Sequence, residues 1–243
     1  MINRTFYIVS LFAIINFSGC NKPRHVLVIT GGHAYDTTEF FEMFTAMEGI
    51  FFDSISHPAV TGLLNSERVH SYDLLLFYDF RPDPPLEDTT IYLQLARQGI
   101  PMLFLHHAVC SFQRWDGYRK MVGGRYVMPG YTSDTSLLSD YRHDLILRIE
   151  VLDRNHPVNS GVNDFTIHDE GYTNIQVEEG IHPLLGTSHP DCHPLVGWVN
   201  RHEQSTCLYL MMGHDKNAYQ NETFQQLLEN SIRWLAGEAP ARK

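Results

Sequence analysis

The feature that most constrains the fold is a repeated pattern in which an apolar, strand-like run ends in a loop that carries histidine. The pattern occurs four times, at Gly31-Gly32-His33, His106-His107, His168-Asp169-Glu170 and Gly213-His214-Asp215. In an open α/β sheet the loops that follow parallel strands meet at one edge, so side chains distant in sequence converge there. Imidazoles and carboxylates gathered at such an edge indicate metal binding or proton transfer.

The pattern between these loops predicts an α/β fold in which strands and helices alternate. Residues 25–30, 72–78 and 100–105 are nearly continuous apolar runs, typical of strands buried on both faces. Helices are predicted to begin at Asp36 or Thr37 and at Asp88, where apolar residues recur at helical spacing. We therefore expect a mainly parallel sheet with helices on both faces.

Three other segments complete this prediction. Residues 145–151 alternate like an edge strand, for which antiparallel pairing is one option, and residues 195–199 and 206–212 are predicted to form a hairpin. Residues 126–140 are rich in Ser, Thr, Gly and Tyr without a clear period, which predicts a long surface loop or lid.

Composition limits the classes of function. With 243 residues and 43% hydrophobic content, the chain favours one large domain, which we expect over residues 25–240. The formal net charge of -10, without a Lys/Arg cluster, argues against nucleic acid as a partner. Because no Gly-x-Gly-x-x-Gly fingerprint is present, neither NAD nor a flavin is expected as a cofactor.

Residues 1–19 predict a lipoprotein-type signal peptide, followed by a short linker over residues 20–24. Arg4 precedes an apolar run over residues 6–17, and Ser18-Gly19 stands before Cys20, which would carry the lipid; Phe17 replaces the usual Leu. The run is too short for an ordinary spanning helix. We expect export and lipid anchoring to a bacterial membrane, in the periplasm or at the cell surface; a plain signal peptide or an uncleaved anchor is the alternative.

Single histidines in the first two loops are candidates for the site. His33 follows two glycines and precedes a predicted helix N-terminus, where it would contact substrate or metal; alternatively it only bonds a neighbouring loop. His106 and His107 are adjacent, so in extended backbone they point to opposite sides. One of them is expected to face the pocket unless the chain turns there, and the sequence does not distinguish which.

The other two loops add carboxylates. His168 and Glu170 are suitable ligands for zinc, manganese or iron, and Asp169 and Glu170 are candidates for acid-base chemistry; a solvated acidic turn is the alternative. His214 is a further candidate ligand. Its neighbour Asp215 would fix the tautomer of that histidine or cap the last helix.

Taken in order along the chain, these residues resemble the ThuA-like family, named for trehalose utilisation, over roughly residues 25–237. The resemblance rests on these pieces: Val28-Ile29-Thr30-Gly31-Gly32-His33, Leu105-His106-His107 through Ser111-Phe112, Trp115 to Gly123-Gly124, Asn155-His156-Pro157-Val158, Phe165 to Tyr172, and Gly213-His214-Asp215 before Asn230-Ser231-Ile232-Arg233-Trp234. It implies a flavodoxin-like fold related to class I glutamine amidotransferases, and a role on oxidised (keto) glycosides. Those amidotransferases carry a nucleophilic cysteine where this chain has His106-His107-Ala108, and Cys110 comes later, so glutaminase chemistry is not expected.

The leading hypothesis is a tethered enzyme that acts on a small carbohydrate by isomerisation, elimination or hydrolysis. A histidine or Glu170 would remove a proton beside a sugar carbonyl, while a divalent metal or a second histidine would stabilise the enolate oxygen. The alternative is a non-catalytic sugar-binding lipoprotein. The expected site comprises the catalytic residues His106, His107, Asp169 and Glu170, the substrate-binding residues His33, Tyr35, Trp115 and Tyr172, and the metal ligands His33, His106, His168, Glu170 and His214.

Overall fold

The computed structural model describes residues 23–237, which fold around a nine-stranded sheet. The strands are β1 Arg24–Gly31, β2 Ile50–Ser56, β3 Leu74–Asp79, β4 Met102–Leu105, β5 Gly124–Arg125, β6 Asp140–Val151, β7 Phe165–Thr173, β8 Gln176–Val177, β9 His182–Thr187, β10 Leu195–His202 and β11 Ser205–Leu210. The α-helices are α1 Thr37–Thr45, α2 Val60–Leu64, α3 Leu86–Arg97, α4 Asp116–Val122, α5 Lys216–Tyr219 and α6 Glu222–Gly237. Within the described residues no helix is long and apolar enough to cross a membrane. The predicted signal peptide and Cys20 lie outside them.

Five strands of the large sheet run parallel, in the order β2-β1-β3-β4-β11. Every residue of β3 is buried, because helices cover both faces of the sheet. Phe77 packs against Tyr92 of α3, whereas its neighbour Tyr78 packs against Phe40 of α1 and Tyr219 of α5. The predicted α/β class with helices on both faces is therefore confirmed.

The other four strands, β10, β9, β6 and β7, extend the sheet in antiparallel order. The predicted hairpin is confirmed and consists of β10 and β11. The antiparallel pairing considered for residues 145–151 is also confirmed, because β6 runs antiparallel to its neighbours. The edge position is wrong, because β6 pairs with both β9 and β7, and β7 forms the edge. The sheet is thus more evenly mixed than the apolar runs alone indicate.

The segment around His168 differs most from the prediction. Instead of breaking into a loop after Ile167, the chain continues as β7 to Thr173. Backbone pairing with β6 holds it extended, with Asp169 opposite Leu145 and Tyr172 opposite Tyr141. A cluster of polar residues therefore lies inside a strand, and the β6–β7 ribbon carries it towards the carboxyl ends of the parallel strands.

Candidate functional site

A cavity of about 250 Å³ lies where β1, β3, β4 and β11 end and is closed by the β6–β7 ribbon. Its walls combine imidazoles, aromatic rings, one thioether, one thiol and one carboxylate, contributed by His33, Phe80, His106, His107, Cys110, Tyr126, Met128, Tyr141, His143, Glu170, Tyr172 and His214. Three of the four predicted histidine loops reach it directly from parallel strands, and the fourth segment reaches it from β7. The convergence follows from the topology of the sheet.

At one end of the cavity, three side-chain atoms form a tight triangle. Glu170 Oε2 lies 3.0 Å from His106 Nε2 and 3.2 Å from His214 Nδ1, and the two nitrogens are 3.2 Å apart. Ligands bound at about 2.1 Å around a zinc-like ion stand roughly 3.0–3.4 Å from one another, so the spacing matches a metal site. Among residues 23–237 this is the one group of at least three His, Cys, Asp or Glu side chains with such spacing.

The protonation of His106 strengthens this match. Its Nδ1 lies 2.7 Å from the carbonyl oxygen of Met211, which can only accept, so Nδ1 carries the proton. In a neutral ring the lone pair of Nε2 then faces the acceptor oxygen of Glu170. Two acceptors at 3.0 Å need a proton or a cation between them. The donor set therefore fits a divalent metal, with a backbone carbonyl orienting one of its ligands.

Electrostatics keep Glu170 charged. Burial alone would raise the pKa of this carboxyl, but the hydrogen bonds with His106 and His214 outweigh burial and lower the pKa well below its ordinary value. The hydrogen bond with Glu170 in turn raises the pKa of His214. A cation requires the ionised carboxylate, and on binding it would take the place of the protons that otherwise join Glu170 to the two imidazoles.

Asp169 holds this arrangement together from outside the cavity. Its carboxylate accepts backbone N–H bonds from Gly213 at 2.7 Å, from His214 at 2.9 Å and from Glu170 at 2.8 Å. These bonds join β7 to the loop after β11. The predicted catalytic residue Asp169 thus does not line the cavity, and its contacts are those of a positioning residue.

Both adjacent histidines line the cavity, because the chain turns at His106. Its φ of 51° is left-handed and starts a 3₁₀ turn over His106–Cys110. His107 lies against the edges of Tyr78 and His33, with ring centroids 4.3 Å and 5.0 Å away, and neither of its nitrogens has a hydrogen-bond partner. Burial lowers the pKa of His107 well below its ordinary value, so this ring is neutral.

The other predicted residues divide between the cavity and its surroundings. Tyr172 lines the cavity with its hydroxyl 2.9 Å from His106 Nε2, and His33 lines it with Nδ1 bonded to the Ala34 carbonyl, outside the group of three. The remaining three do not line it.

His168 Nε2 lies 3.4 Å from Asp144 Oδ1 in a surface depression that adjoins the cavity and shares His143 and His214 with it. Tyr35 packs on Phe40, and Trp115 packs on Phe112.

Asp215 adopts the alternative role considered from the sequence. Its carboxylate accepts the backbone N–H of Asn217 at 2.8 Å and so caps α5, a short helix that precedes the last one.

His143 is the main candidate site residue that the sequence patterns did not single out. It lies at the cavity wall with half of its side chain exposed, and its Nδ1 is 3.2 Å from Glu170 Oε1. Glu170 therefore contacts three histidines through its two oxygens. One signal was available: the dipeptide His143-Asp144 repeats the pair found at residues 168–169 and 214–215.

Comparison with known proteins identifies the family of this chain and supports its fold. A family model described as ThuA, trehalose utilisation, matches residues 25–235. A putative ThuA-like protein from Parabacteroides merdae has a TM-score of 0.74 at 17% identity, covering 91% of this chain and 93% of that one. A second from Bacteroides uniformis has a TM-score of 0.66 at 18% identity, covering 88% and 91%.

One more structural match is a β-galactosidase from Rahnella, with a TM-score of 0.54 at 12% identity, covering 84% of this chain but 30% of that one. At these identities the structural matches show the fold alone. No curated protein matches the chain. On the family match over almost all of the described residues, the chain belongs to the ThuA family, whose description links it to trehalose utilisation and so to carbohydrates.

Proposed function

We propose that the protein is an enzyme that acts on a small carbohydrate, a keto-glycoside or a related oxidised sugar, by isomerisation, elimination or hydrolysis. The observation that carries the proposal is the triangle of His106 Nε2, Glu170 Oε2 and His214 Nδ1, with edges of 3.0–3.2 Å, at the end of a cavity. A buried, ionised carboxylate surrounded by histidines marks chemistry more often than simple binding. The carbohydrate link of the family supplies the substrate class.

The lining of the cavity favours an uncharged ligand. None of the described residues that form its walls is Lys or Arg, so a phosphate ester would find no counter-charge from a basic side chain. Phe80, Tyr126, Tyr141 and Tyr172 instead offer aromatic surface, and the histidines offer polar contacts. Apolar walls with a few convergent polar groups are typical of small-molecule sites.

His106, Glu170 and His214 would hold the metal. Two imidazoles and a carboxylate suit zinc, manganese or iron, and three protein ligands leave a position open. When bound, such an ion polarises a carbonyl oxygen and stabilises negative charge that develops on it.

His143 is placed to move the proton. If its Nδ1–H donates to Glu170 Oε1, at 3.2 Å, its Nε2 keeps a lone pair for a C–H group beside the substrate carbonyl. The C–H bond breaks, the proton passes to Nε2 of His143, and the electron pair moves to the carbonyl oxygen. Glu170 thus orients the base, as carboxylates orient histidines in other enzymes.

Metal content tests the first part of the proposal. Protein purified without a His-tag and loaded with zinc should hold about one equivalent by elemental analysis, and His106→Ala and His214→Ala should lose it. The matched control is His168→Ala, which removes a histidine outside the cavity and should retain the metal. Absence of stoichiometric metal, or equal retention in all variants, refutes the metal centre.

Turnover tests the second part. Wild-type protein should convert at least one keto-glycoside, and His143→Ala should lower kcat about 10²- to 10⁴-fold while sugar affinity stays within a few fold. Added imidazole should restore part of the activity if the ring acts as the base. A wild-type protein that binds oxidised sugars and converts none would instead be the sugar-binding protein of the alternative hypothesis.

We also propose that the protein is exported and tethered by a lipid on Cys20, as the N-terminal sequence indicates. Mass spectrometry of the mature protein should find an acylated N-terminal cysteine, and Cys20→Ser should release the protein from the membrane fraction. An unmodified Cys20, or unchanged membrane association of the variant, contradicts the tether.

A further inference from the structure

His107 has a hydrogen-bonding capacity that the protein leaves unused. The side chain is 4% exposed, both ring nitrogens are buried, and neither has a partner. Among the described residues that line the cavity, His107 is the one with such unpartnered atoms. A buried polar group left without a hydrogen bond costs about 1–3 kcal/mol, so this arrangement needs a compensating partner.

Two polar side chains beside His107, those of Tyr78 and His106, are already engaged. The Tyr78 hydroxyl lies 2.9 Å from the Gly213 carbonyl and 2.7 Å from the Tyr219 hydroxyl. His106 is bonded to the Met211 carbonyl through Nδ1 and faces Glu170 through Nε2. Because the side chain of His107 lines the cavity, a ligand bound there is placed to supply the missing partner.

We propose that His107 recognises a hydroxyl group on the carbon next to the substrate carbonyl, so that the cavity selects α-hydroxycarbonyl compounds. This inference rests on the proposed function and specifies its substrate class. The carbonyl oxygen lies at the His106–Glu170–His214 end, and the neighbouring hydroxyl lies at His107. The His106 and His107 rings have centroids 5.4 Å apart, so oxygens on adjacent carbons can reach the two groups together.

A hydroxyl suits His107 better than the other oxygens of a sugar. A neutral imidazole presents one donor and one acceptor, and a hydroxyl can pair with either, whereas carbonyl and ether oxygens only accept. An analogue without the hydroxyl would leave both nitrogens unpaired. Sites built around a buried hydrogen bond reject such analogues far more strongly than apolar pockets reject a missing methylene.

Two small ketones of nearly equal size test the inference without any turnover. Hydroxyacetone carries the α-hydroxycarbonyl unit, and butanone replaces its hydroxyl with a methyl group. Titrated into the zinc-loaded full-length protein and followed by ¹⁵N NMR of the histidine rings, hydroxyacetone should bind at least about 10-fold more tightly. It should also shift the His107 nitrogens, which butanone should leave unchanged.

In His107→Ala the preference should fall to about one, while His107→Gln, which keeps a donor and an acceptor, should retain part of it. Retained zinc content shows that each variant is folded. A preference near one in the wild type, or one unchanged in His107→Ala, overturns the inference. This experiment measures affinity, so its outcome is independent of turnover. If the protein turns over a keto-glycoside but shows no preference for hydroxyacetone, only the inference about His107 is wrong. If it shows the preference but no turnover, only the proposal that it is an enzyme is wrong.

Discussion

Replacing Asp79 by Asn should remove a pH-dependent loss of stability from the core. Asp79 ends β3, has no exposed surface, and neither of its carboxylate oxygens has a hydrogen-bond partner. The nearby His57 Nε2 lies 3.6 Å from Asp79 Oδ2, but burial and the charge of Arg81 lower the pKa of that imidazole to about 4. Burial raises the pKa of Asp79 from 3.8 to about 7.

The sign and size of the effect follow from this shift. Because the folded protein binds the Asp79 proton more tightly than the unfolded chain does, stability falls as pH rises from about 4 to about 7. With pKa values of 3.8 unfolded and about 7 folded, this one carboxyl destabilises the fold by about 2 kcal/mol at pH 5 and about 4 kcal/mol at pH 8. The stability of Asp79→Asn relative to wild type should therefore rise by about 2 to 3 kcal/mol between pH 5 and pH 8.

Urea unfolding of both proteins at pH 5 and pH 8 measures this difference directly. Asp79→Ala is the matched control, since it also lacks the carboxyl: its stability will differ from that of Asp79→Asn because of the cavity, but its gain between the two pH values should be the same. If wild type and both variants lose stability in parallel between pH 5 and pH 8, Asp79 is not a buried carboxyl of raised pKa and the reasoning fails.

Three further substitutions probe the cavity and the residues that support it. Gly32→Ala should destabilise the fold by more than about 2 kcal/mol in urea unfolding, because Gly32 has a φ of +85° and an added Cβ would stand 1.8 Å from the Phe80 carbonyl oxygen. Asp169→Asn should weaken zinc affinity about 10- to 100-fold in chelator competition, since an amide offers one acceptor oxygen to three N–H groups and loosens the loop of His214. Cys110→Ala should keep kcat/KM within about threefold, because burial raises the pKa of this thiol and keeps it protonated; a loss above 100-fold would identify a nucleophile.

The parallel half of the fold was predictable because its signals are local. Residues of β1 and β3 are buried from both sides of the sheet, and such burial requires nearly unbroken apolar runs. The histidines stand in the loops that directly follow β1, β4 and β11, so they could be located from the ends of the apolar runs. The β6–β7 ribbon gives no such signal. The buried polar residues of β7 look like a loop in sequence, since Asp169 and Glu170 are satisfied by backbone and side chains far along the chain.

The three His-Asp dipeptides show why the site could be located from sequence while the roles of its residues could not. Adjacent residues of a strand point to opposite faces, so the backbone decides which member of each pair enters the site. In β7 the carboxylate of Asp169 turns inward to the loop after β11 and His168 remains partly exposed.

In β6 the order is reversed. The pairing with β7 is irregular between Arg142 and Leu145, and Asp144 adopts a φ of 57°, so His143 faces Glu170 while Asp144 stays 81% exposed. After β11, His214 joins the triangle and Asp215 caps α5. The same dipeptide therefore supplies a different side chain at each place: a positioning carboxylate in β7, a candidate base in β6 and a candidate metal ligand after β11. The roles differ because strand register and backbone dihedrals differ at the three places, and the two residue types alone do not determine either.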